Sequence, residues 1–372
     1  MTSPDPNSLE ADFDCVVFLT WSNWRTEPRS NRYHYASRFA KYLPVIFVQP
    51  DLLGTRKVLE ETEIEGLDIL HVYKYYGPKQ NDLINDALLE RGFMKPMLWI
   101  FNPNFIDFIQ RRFSPLKVFH ATEAYFAPEY GLSEDFIELL RENLRHIDLL
   151  VAVSEAVLDS YERDGTYEGE KILLPNGCDY SFWGLKDEEI LRIADSKKDR
   201  NIAFYQGGIN NRIDWALLRE LVESMPDWDF WLCGLLDKKY KGALRSLHQE
   251  NVKHLGYLEP ERIRAYALKA TVGIIPFIQN SLIKASLPLK AFEYVASGLP
   301  VVSVPIIALD SFGDLFEIVN THQEFAAALR KVAKSRFDVD TINKRLATAK
   351  KQDYSVRFLE LIDKIESLIQ EP

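Results

Sequence analysis

Apolar residues come in short, nearly unbroken runs: "CVVFLT" (15–20), "VIFVQ" (45–49), "MLWIF" (97–101), "KVFH" (117–120), "LLVAV" (149–153) and "KILLP" (171–175). Runs of this length, rich in Val, Ile, Phe and Leu, predict strands buried on both faces of a sheet. Between them lie stretches of helical period, such as "YHYASRFAKYL" (33–43) and "EDFIELLRENLRHI" (134–147). Strands alternating with helices predict βαβ units and a mostly parallel sheet. The pattern lapses over 176–200, a turn-rich and then charged segment that reads as a linker with a short helix. It resumes at "NIAFYQGG" (201–208) and runs through "DFWLCG" (229–234), "VKHLGY" (252–257), "TVGIIPF" (271–277) and "PVVSVP" (300–305), with helices such as "DWALLRELVES" (214–224) between. Near the end, residues 358, 361, 362, 365, 368 and 369 are apolar, the period of an amphipathic helix. The reading is two doubly wound α/β domains joined near 180–200. Open parallel sheets bind ligands at the carboxyl ends of their strands, so the expected site is a cleft between the domains.

Composition narrows the functional classes. A length of 372 residues suits two domains, and an apolar share of 47% suffices for two cores. The net charge of −10 argues against a general nucleic-acid binder. Cys15, Cys178 and Cys233 are far apart and form no CxxC pair, which disfavours a disulfide framework or a zinc site. The opening "MTSPDPNSLEADFD" is polar and acidic, unlike a signal peptide. No apolar run approaches the roughly 18–20 residues that span a bilayer. A cytoplasmic protein is expected, with contact at the inner face of the cell membrane still open.

Two constellations carry candidate chemistry. In "SLPLKAFEYVASGLPVVSVP" (286–305), Pro288 starts a short helix, Glu293 lies about one turn in, and Gly298 ends it. Amides around Leu289, Lys290 and Ala291 would suit a phosphate, and Glu293 would then reach a ribose hydroxyl. An ordinary capped helix with an ion-paired Glu explains the same letters. In "NIAFYQGGINNRID" (201–214), a strand runs into Gly207 and Gly208, then Arg212, then a helix capped by Asp214. Such glycines let a ligand approach the backbone, and Arg212 is a natural phosphate partner. A tight turn with a surface Arg is the alternative. There is no GxGxxG and no GxxxxGK[ST].

"LPLKAFEYVASGLPVV" (287–302) resembles the nucleotide-sugar signature of the GT-B glycosyltransferases, especially glycosyltransferase family 4. "LLVAVSEAVLDSY" with "KILLPNGCDYSFW" (149–183), "YQGGINNRIDWALLRELVESMPDWDFWLCG" (205–234) and "HLGYLEPERIRAYALKATVGIIPF" (254–277) resemble other parts of that family in the same order. "WSNWRTEPRSNRYHYASRFAKYLPVIFVQP" (21–50) and "YSVRF" (354–358) resemble bacterial cell-surface polysaccharide members, including those of the teichuronic-acid type. The resemblance implies an α/β GT-B architecture, two doubly wound Rossmann-like domains facing a central cleft. Residues 1–180 would bind the acceptor and 181–353 the nucleotide sugar, with a helix over 354–372 crossing back to the first domain. It implies a transferase that moves a sugar, with retention at the anomeric carbon, from a nucleoside-diphosphate donor to a glycan or lipid-diphosphate-linked acceptor. UDP is the first expectation for the donor and GDP the next, with no other cofactor. Glu293 matches the ribose-binding Glu, and Leu287, Pro288, Leu289 and Lys290 match the diphosphate segment. Gly207 and Gly208 match the glycine loop, Arg212 the diphosphate clamp, and Tyr257 and Leu258 the loop bordering the base. Two departures stand out: Ala285 occupies the place of the first Glu of the family's paired-Glu motif, and no Lys follows Arg212. A GT-B-fold nucleotide-sugar epimerase and a non-catalytic glycan-binding or assembly protein remain as alternatives.

On the acceptor side, His120 in "VFHATEAY" is expected at a strand end, as a base or a sugar-orienting group, with Glu123 and Tyr125 after it. A packed strand-end His is the other reading. Arg29 and Arg32 lie among Arg25, Arg38, Lys41, Trp21, Trp24, Tyr33 and Tyr35, a mixture suited to a phosphorylated glycan or to a solvated helix face. "DFD" (12–14) precedes the first strand and reads as a polar lead-in, so no metal is expected.

Overall fold

The structure, a computed structural model, describes residues 5–27, 29–196, 199–247 and 249–370. Residues 1–4 of the polar lead-in and Lys197 and Lys198 of the charged segment lie outside the described residues. The chain forms two compact units, Met1–Pro175 with Tyr354–Pro372, and Asn176–Asp353.

The first unit holds one sheet built from β1 (Cys15–Leu19), β2 (Val45–Leu52), β3 (Val58–Glu61), β4 (Leu67–Tyr73), β5 (Pro96–Ile100), β6 (Lys117–Ala121), β7 (Leu149–Ala152) and β8 (Glu170–Leu173). Their order is β3-β4-β2-β1-β5-β6-β7-β8. All neighbours are parallel except β3 and β4. Every residue of β1, β5 and β7 is buried, as helices on both faces require. The apolar pattern did not reveal β3 or β4. The first is an exposed edge of sequence VLEE, and the second is interrupted by Asp68 and His71. Those two side chains face partners at the sheet's border: Arg91 meets Asp68 at 2.8 Å, while His71 meets Asp51 and Glu60, each at 2.9 Å.

The helix Tyr354–Gln370 packs within this unit on the helix Asn31–Phe39. Tyr354 Oη donates to Asn31 Oδ1 at 2.8 Å, the Tyr354 ring stacks on His34 at 4.0 Å, and Phe358 meets Phe39 edge-on at 4.9 Å. The units divide after Pro175 rather than after 180, because residues 178–180 are tied to the end of the second unit. Cys178 N–H donates to the Gln352 carbonyl at 2.9 Å and Tyr180 N–H to the Asp353 carboxylate at 2.7 Å.

The second unit's sheet contains β9 (Asn201–Gln206), β10 (Trp228–Cys233), β11 (Val252–Gly256), β12 (Val272–Ile275), β13 (Val301–Ser303) and β14 (Phe316–Ile318). All are parallel, in the order β11-β10-β9-β12-β13-β14. The chain winds outward from β9 through β10 and β11, then jumps to β12 on the other side of β9. Loops leaving β9 and β12 therefore diverge, and this reversal opens a crevice at the carboxyl edge. At three residues, β14 is too short to leave a pattern in the sequence.

Candidate functional site

At the β9 end of that crevice the backbone turns sharply. Gly207 has φ +123° and Gly234, at the end of neighbouring β10, has φ +147°. A Cβ on Gly234 would lie 1.9 Å from the Gly207 carbonyl oxygen, so side chains there are excluded. Gly207 N–H donates to the Cys233 carbonyl at 2.9 Å, and Tyr205 Oη donates to the Gly208 carbonyl at 2.7 Å. The loop then closes on itself. Asn210 Oδ1 accepts from Arg212 N–H at 3.0 Å, the Arg212 carbonyl accepts from Ile278 N–H at 2.8 Å, and Asp214 caps the next helix through Leu217 N–H at 2.9 Å. Arg212 thus has a fixed backbone and a half-buried side chain.

The other wall follows β12. Asn280 caps the short helix Ser281–Ala285, and the Asn176 side-chain amide donates to the Leu287 carbonyl at 2.6 Å. The helix Lys290–Ala296 comes next. Lys290 is 9% exposed, with Nζ 4.1 Å from the Tyr205 ring centre and 4.6 Å from that of Phe277. Burial, with the Arg212 charge added, pushes this ammonium down to about 7, against the opposing pull of Glu293. The half-buried Glu293 carboxylate accepts from the Gln206 side-chain amide, and Tyr294 Oη accepts from Gln206 N–H at 2.8 Å. The structure therefore gathers Gly207, Gly208, Arg212, Lys290 and Glu293 at the β9–β12 reversal.

The remaining donor-side candidates fare differently. Tyr257 is exposed just beyond β11, on the same sheet edge. Leu258 and Leu287 pack on the unit's core, so their side chains serve the fold. Leu289 caps the helix in helical backbone conformation. Pro288 accepts from Ala291 N–H at 3.0 Å, which corrects the expectation that this amide faces a phosphate. Sequence reasoning did not single out Tyr205, Gln206 or Phe277, nor the Lys290 side chain as distinct from its segment. All four are defined by contacts between distant segments, although the aromatic residues flanking each loop were visible.

Gly298 ends the site helix at φ +68°, with Leu299 N–H donating to the Tyr294 carbonyl at 2.9 Å. Behind it lies the fully buried Arg336, whose Nη1 donates to the Ser297 carbonyl at 2.8 Å and whose Nε and Nη2 reach the Ala270 and Leu268 carbonyls, each at 3.3 Å. A cation at the carboxyl end of a helix is favourable, and it fixes the helix that carries Lys290 and Glu293.

In the first unit, His120 lies inside β6, 2% exposed, among Tyr35, Trp99 and Phe101. Trp99 Nε1–H donates to its Nδ1 at 3.3 Å. Burial, and secondarily Arg32, pushes the imidazole down to about 3. This corrects the expected base: the ring is a weakened base, its Nδ1 lone pair is engaged by Trp99, and its Nε2 is buried rather than open to an acceptor. Arg32 pairs with the buried Glu27 at 2.9 Å and lies over the Phe101 ring, so it is committed within the fold rather than offered to an acceptor. Trp24 and Tyr35 are also buried. Arg29, at φ +48°, lies over Tyr33. Beyond β1 and β6, Trp21, Tyr125 and Tyr130 make a continuous aromatic ledge, with ring centres 6.2 and 5.4 Å apart. Glu123 accepts from Tyr130 Oη beside it. Asp14 of the "DFD" stretch accepts from Lys95 N–H at 2.7 Å. Among the described residues no group of His, Cys, Asp and Glu side chains is placed to hold a metal ion.

Two sheets, one wholly parallel and one parallel but for its β3 edge, each wound outward from a central first strand, with a glycine turn, basic residues and a carboxylate at the second sheet's reversal, match the GT-B fold. Residues 205–335 match the family described as Glycosyl transferases group 1. The chain is 23% identical over 259 residues to TuaH of Bacillus subtilis (strain 168), named as a glycosyltransferase of teichuronic acid biosynthesis. That match covers 66% of this chain and 65% of the relative. Among solved structures, sucrose-phosphate synthase from Thermosynechococcus elongatus superposes with a TM-score of 0.75 at 12% identity, covering 96% of this chain and 100% of that one. Anabaena HepE, solved with UDP and glucose, superposes with a TM-score of 0.72 at 14% identity, covering 95% and 100%.

Proposed function

We propose that the protein is a glycosyltransferase of bacterial polysaccharide or glycoconjugate synthesis, moving a sugar from a nucleoside-diphosphate donor to a glycan or lipid-diphosphate-linked acceptor. The observation that carries this is the convergence of Gly207, Gly208, Arg212, Lys290 and Glu293 at the second sheet's reversal. In this reading Glu293 accepts hydrogen bonds from the donor ribose, held in place by the Gln206 amide. The glycine bend admits the diphosphate to the backbone, and Arg212 takes its charge. Exposed Tyr257 borders the base. UDP is the favoured nucleotide and GDP the next; the UDP in the HepE structure supports that order.

In the transfer, the acceptor oxygen bonds to the anomeric carbon as the bond from that carbon to the β-phosphate oxygen breaks. The bonding pair leaves with the diphosphate, whose growing charge Arg212 stabilises. The acceptor proton passes to the departing phosphate oxygen on the same face, giving retention without a covalent intermediate. No protein base is needed, which agrees with the buried His120, whose basicity is depressed and whose Nδ1 is engaged. The Trp21–Tyr125–Tyr130 ledge of the first unit offers ring faces for saccharide stacking. No helix among the described residues is long and apolar enough to cross a membrane, so a lipid-linked acceptor would be met by peripheral contact.

The test supplies UDP- and GDP-sugars with and without glycan and lipid-linked acceptors, following nucleotide release and the anomeric configuration of the product. Acceptor-dependent release with retention is expected. An altered nucleotide sugar formed without acceptor would replace this reading with epimerisation. No turnover of any donor would replace it with a binding function.

A further inference from the structure

Two neighbouring loops of the first unit expose apolar and basic side chains together. β2 and β4 lie side by side and run parallel, so the segments that follow them, 53–57 and 74–77, leave the same carboxyl edge of the sheet. Lys74 N–H donates to the Leu52 carbonyl at 2.9 Å and ties the two together. Leu53 is 74% exposed, Tyr75 56% and Tyr76 39%. The rings are held in place: Tyr75 rests against Tyr73 at 5.1 Å, and Tyr76 meets Phe105 edge-on at 5.2 Å while its Oη accepts from the Asn102 side-chain amide at 2.7 Å. A fixed, contiguous apolar patch of this kind marks a surface that a partner removes from water.

The charge around the patch selects the partner. The chain carries a net −10, yet residues 52–59 and 73–81 contain Arg56, Lys57, Lys74 and Lys79 and no Asp or Glu. Lys57 pairs with Glu90 at 2.8 Å, and Lys74 lies over the Tyr75 ring. Among the described residues no carboxylate pairs with Arg56, Lys74 or Lys79. Asp51 and Glu60, which flank the first segment, both meet His71 at 2.9 Å, and Asp82 follows the second within the helix Pro78–Glu90. Tyrosines seat at the headgroup level of a bilayer, and long basic side chains reach phosphates from there. An aliphatic tip such as Leu53 suits acyl chains, whereas a saccharide would take ring faces and polar groups.

We propose that this rim is a peripheral docking surface for an anionic lipid bilayer, with Leu53, Tyr75 and Tyr76 entering the interface and Arg56, Lys74 and Lys79 facing lipid phosphates. It lies on the same sheet edge as the Trp21–Tyr125–Tyr130 ledge, because β1 and β6 run parallel to β2 and β4. Resting on the acceptor reading of that ledge, docking presents a lipid-linked acceptor at the edge where its saccharide stacks.

The experiment sediments the full chain with vesicles of phosphatidylcholine, alone or with about one-third phosphatidylglycerol. Wild type is expected to bind the anionic vesicles at least about tenfold more tightly, and to lose most of that binding between about 0.1 and 0.5 M salt. Arg56→Glu, Lys74→Glu and Lys79→Glu combined should abolish binding, and Leu53→Ser with Tyr75→Ser should weaken it about tenfold at unchanged charge. All five side chains are exposed, and an unchanged Tm checks that each variant folds. Equal affinity for the two vesicles, no binding to either, or undiminished binding by the charge-reversed variant overturns the proposal. A soluble acidic polysaccharide that binds wild type more tightly than the vesicles do, and not the charge-reversed variant, would assign the rim to a glycan and overturn it as well. Turnover with a water-soluble acceptor should be equal in wild type and variants; its absence in all of them, with vesicle binding intact, overturns the transferase reading and leaves the docking surface standing.

Discussion

Substituting Gly298 by Ala tests how the site helix is held. The residue sits at φ +68°, a conformation that costs an L side chain roughly 1–2 kcal/mol. Its new Cβ would also lie 2.8 Å from Leu185 Cδ1, 3.0 Å from Arg336 Nη1 and 3.2 Å from Ile342 Cγ2. Arg336 cannot simply retreat, because its Nη1 serves the Ser297 carbonyl and its other nitrogens two more buried carbonyls. Weakening one such charged hydrogen bond costs about 1.5–3 kcal/mol, so with the backbone cost the total is about 2.5–5 kcal/mol. In a unit of this size each kcal/mol lowers Tm by about 2–4 °C, and calorimetry should show a fall of roughly 5–20 °C in the second unit's transition. Gly313→Ala is the control, since Gly313 has φ +53° but nothing within 4 Å of its would-be Cβ. It should lose only the backbone share. Equal losses in the two variants would show that the Arg336 packing contributes nothing, and a fall under about 1 °C for Gly298→Ala would refute the whole estimate.

Three further outcomes are expected. Glu293→Gln should weaken UDP binding by about 10–100-fold, the worth of a charge-assisted hydrogen bond, with Tm nearly unchanged; calorimetric titration reads both, and undiminished affinity removes Glu293 from the donor site. His120 has a folded-state value of about 3, below that of the unfolded chain, so the unfolded state binds more protons between about 3 and 6.5. Stability therefore rises with pH across that window and is lost as pH falls, at up to about 1.4 kcal/mol per pH unit; His120→Phe should flatten the slope measured by denaturant titration from pH 6.5 to 4, and an unaltered slope would contradict the assignment. Trp21→Ala and Tyr125→Ala should raise the acceptor KM several-fold while UDP affinity stays constant, and a matching loss of UDP affinity would argue against an acceptor ledge.

What could be read in the sequence was what is local. Strands buried on both faces announce themselves as apolar runs, and Gly207, Gly208 and Arg212 were visible because a strand, a turn and a capped helix follow one another directly. Edge strands escaped, since Val58–Glu61 has no buried face and Asp68 and His71 break the pattern of β4 for the sake of border ion pairs. Residues whose roles depend on distant segments escaped too. Gln206 meets Glu293 across 87 positions, and Arg336 reaches Ser297 across 39. The same limit misled the reading of His120: its letters place it near a strand end, but Trp99, Phe101 and Tyr35, which enclose it, come from elsewhere in the chain. Lys290 shows both sides. Its segment was legible as a candidate site, whereas its burial between Tyr205 and Phe277 belongs to the fold.

The most direct measurement is a crystal structure of the full chain with bound UDP. The account predicts the diphosphate against the Gly207–Gly208 bend, with Arg212 and Lys290 nitrogens about 3 Å from its oxygens and the ribose hydroxyls on Glu293. A diphosphate bound elsewhere on the molecule, or a ribose that leaves Glu293 paired only with Gln206, would contradict it.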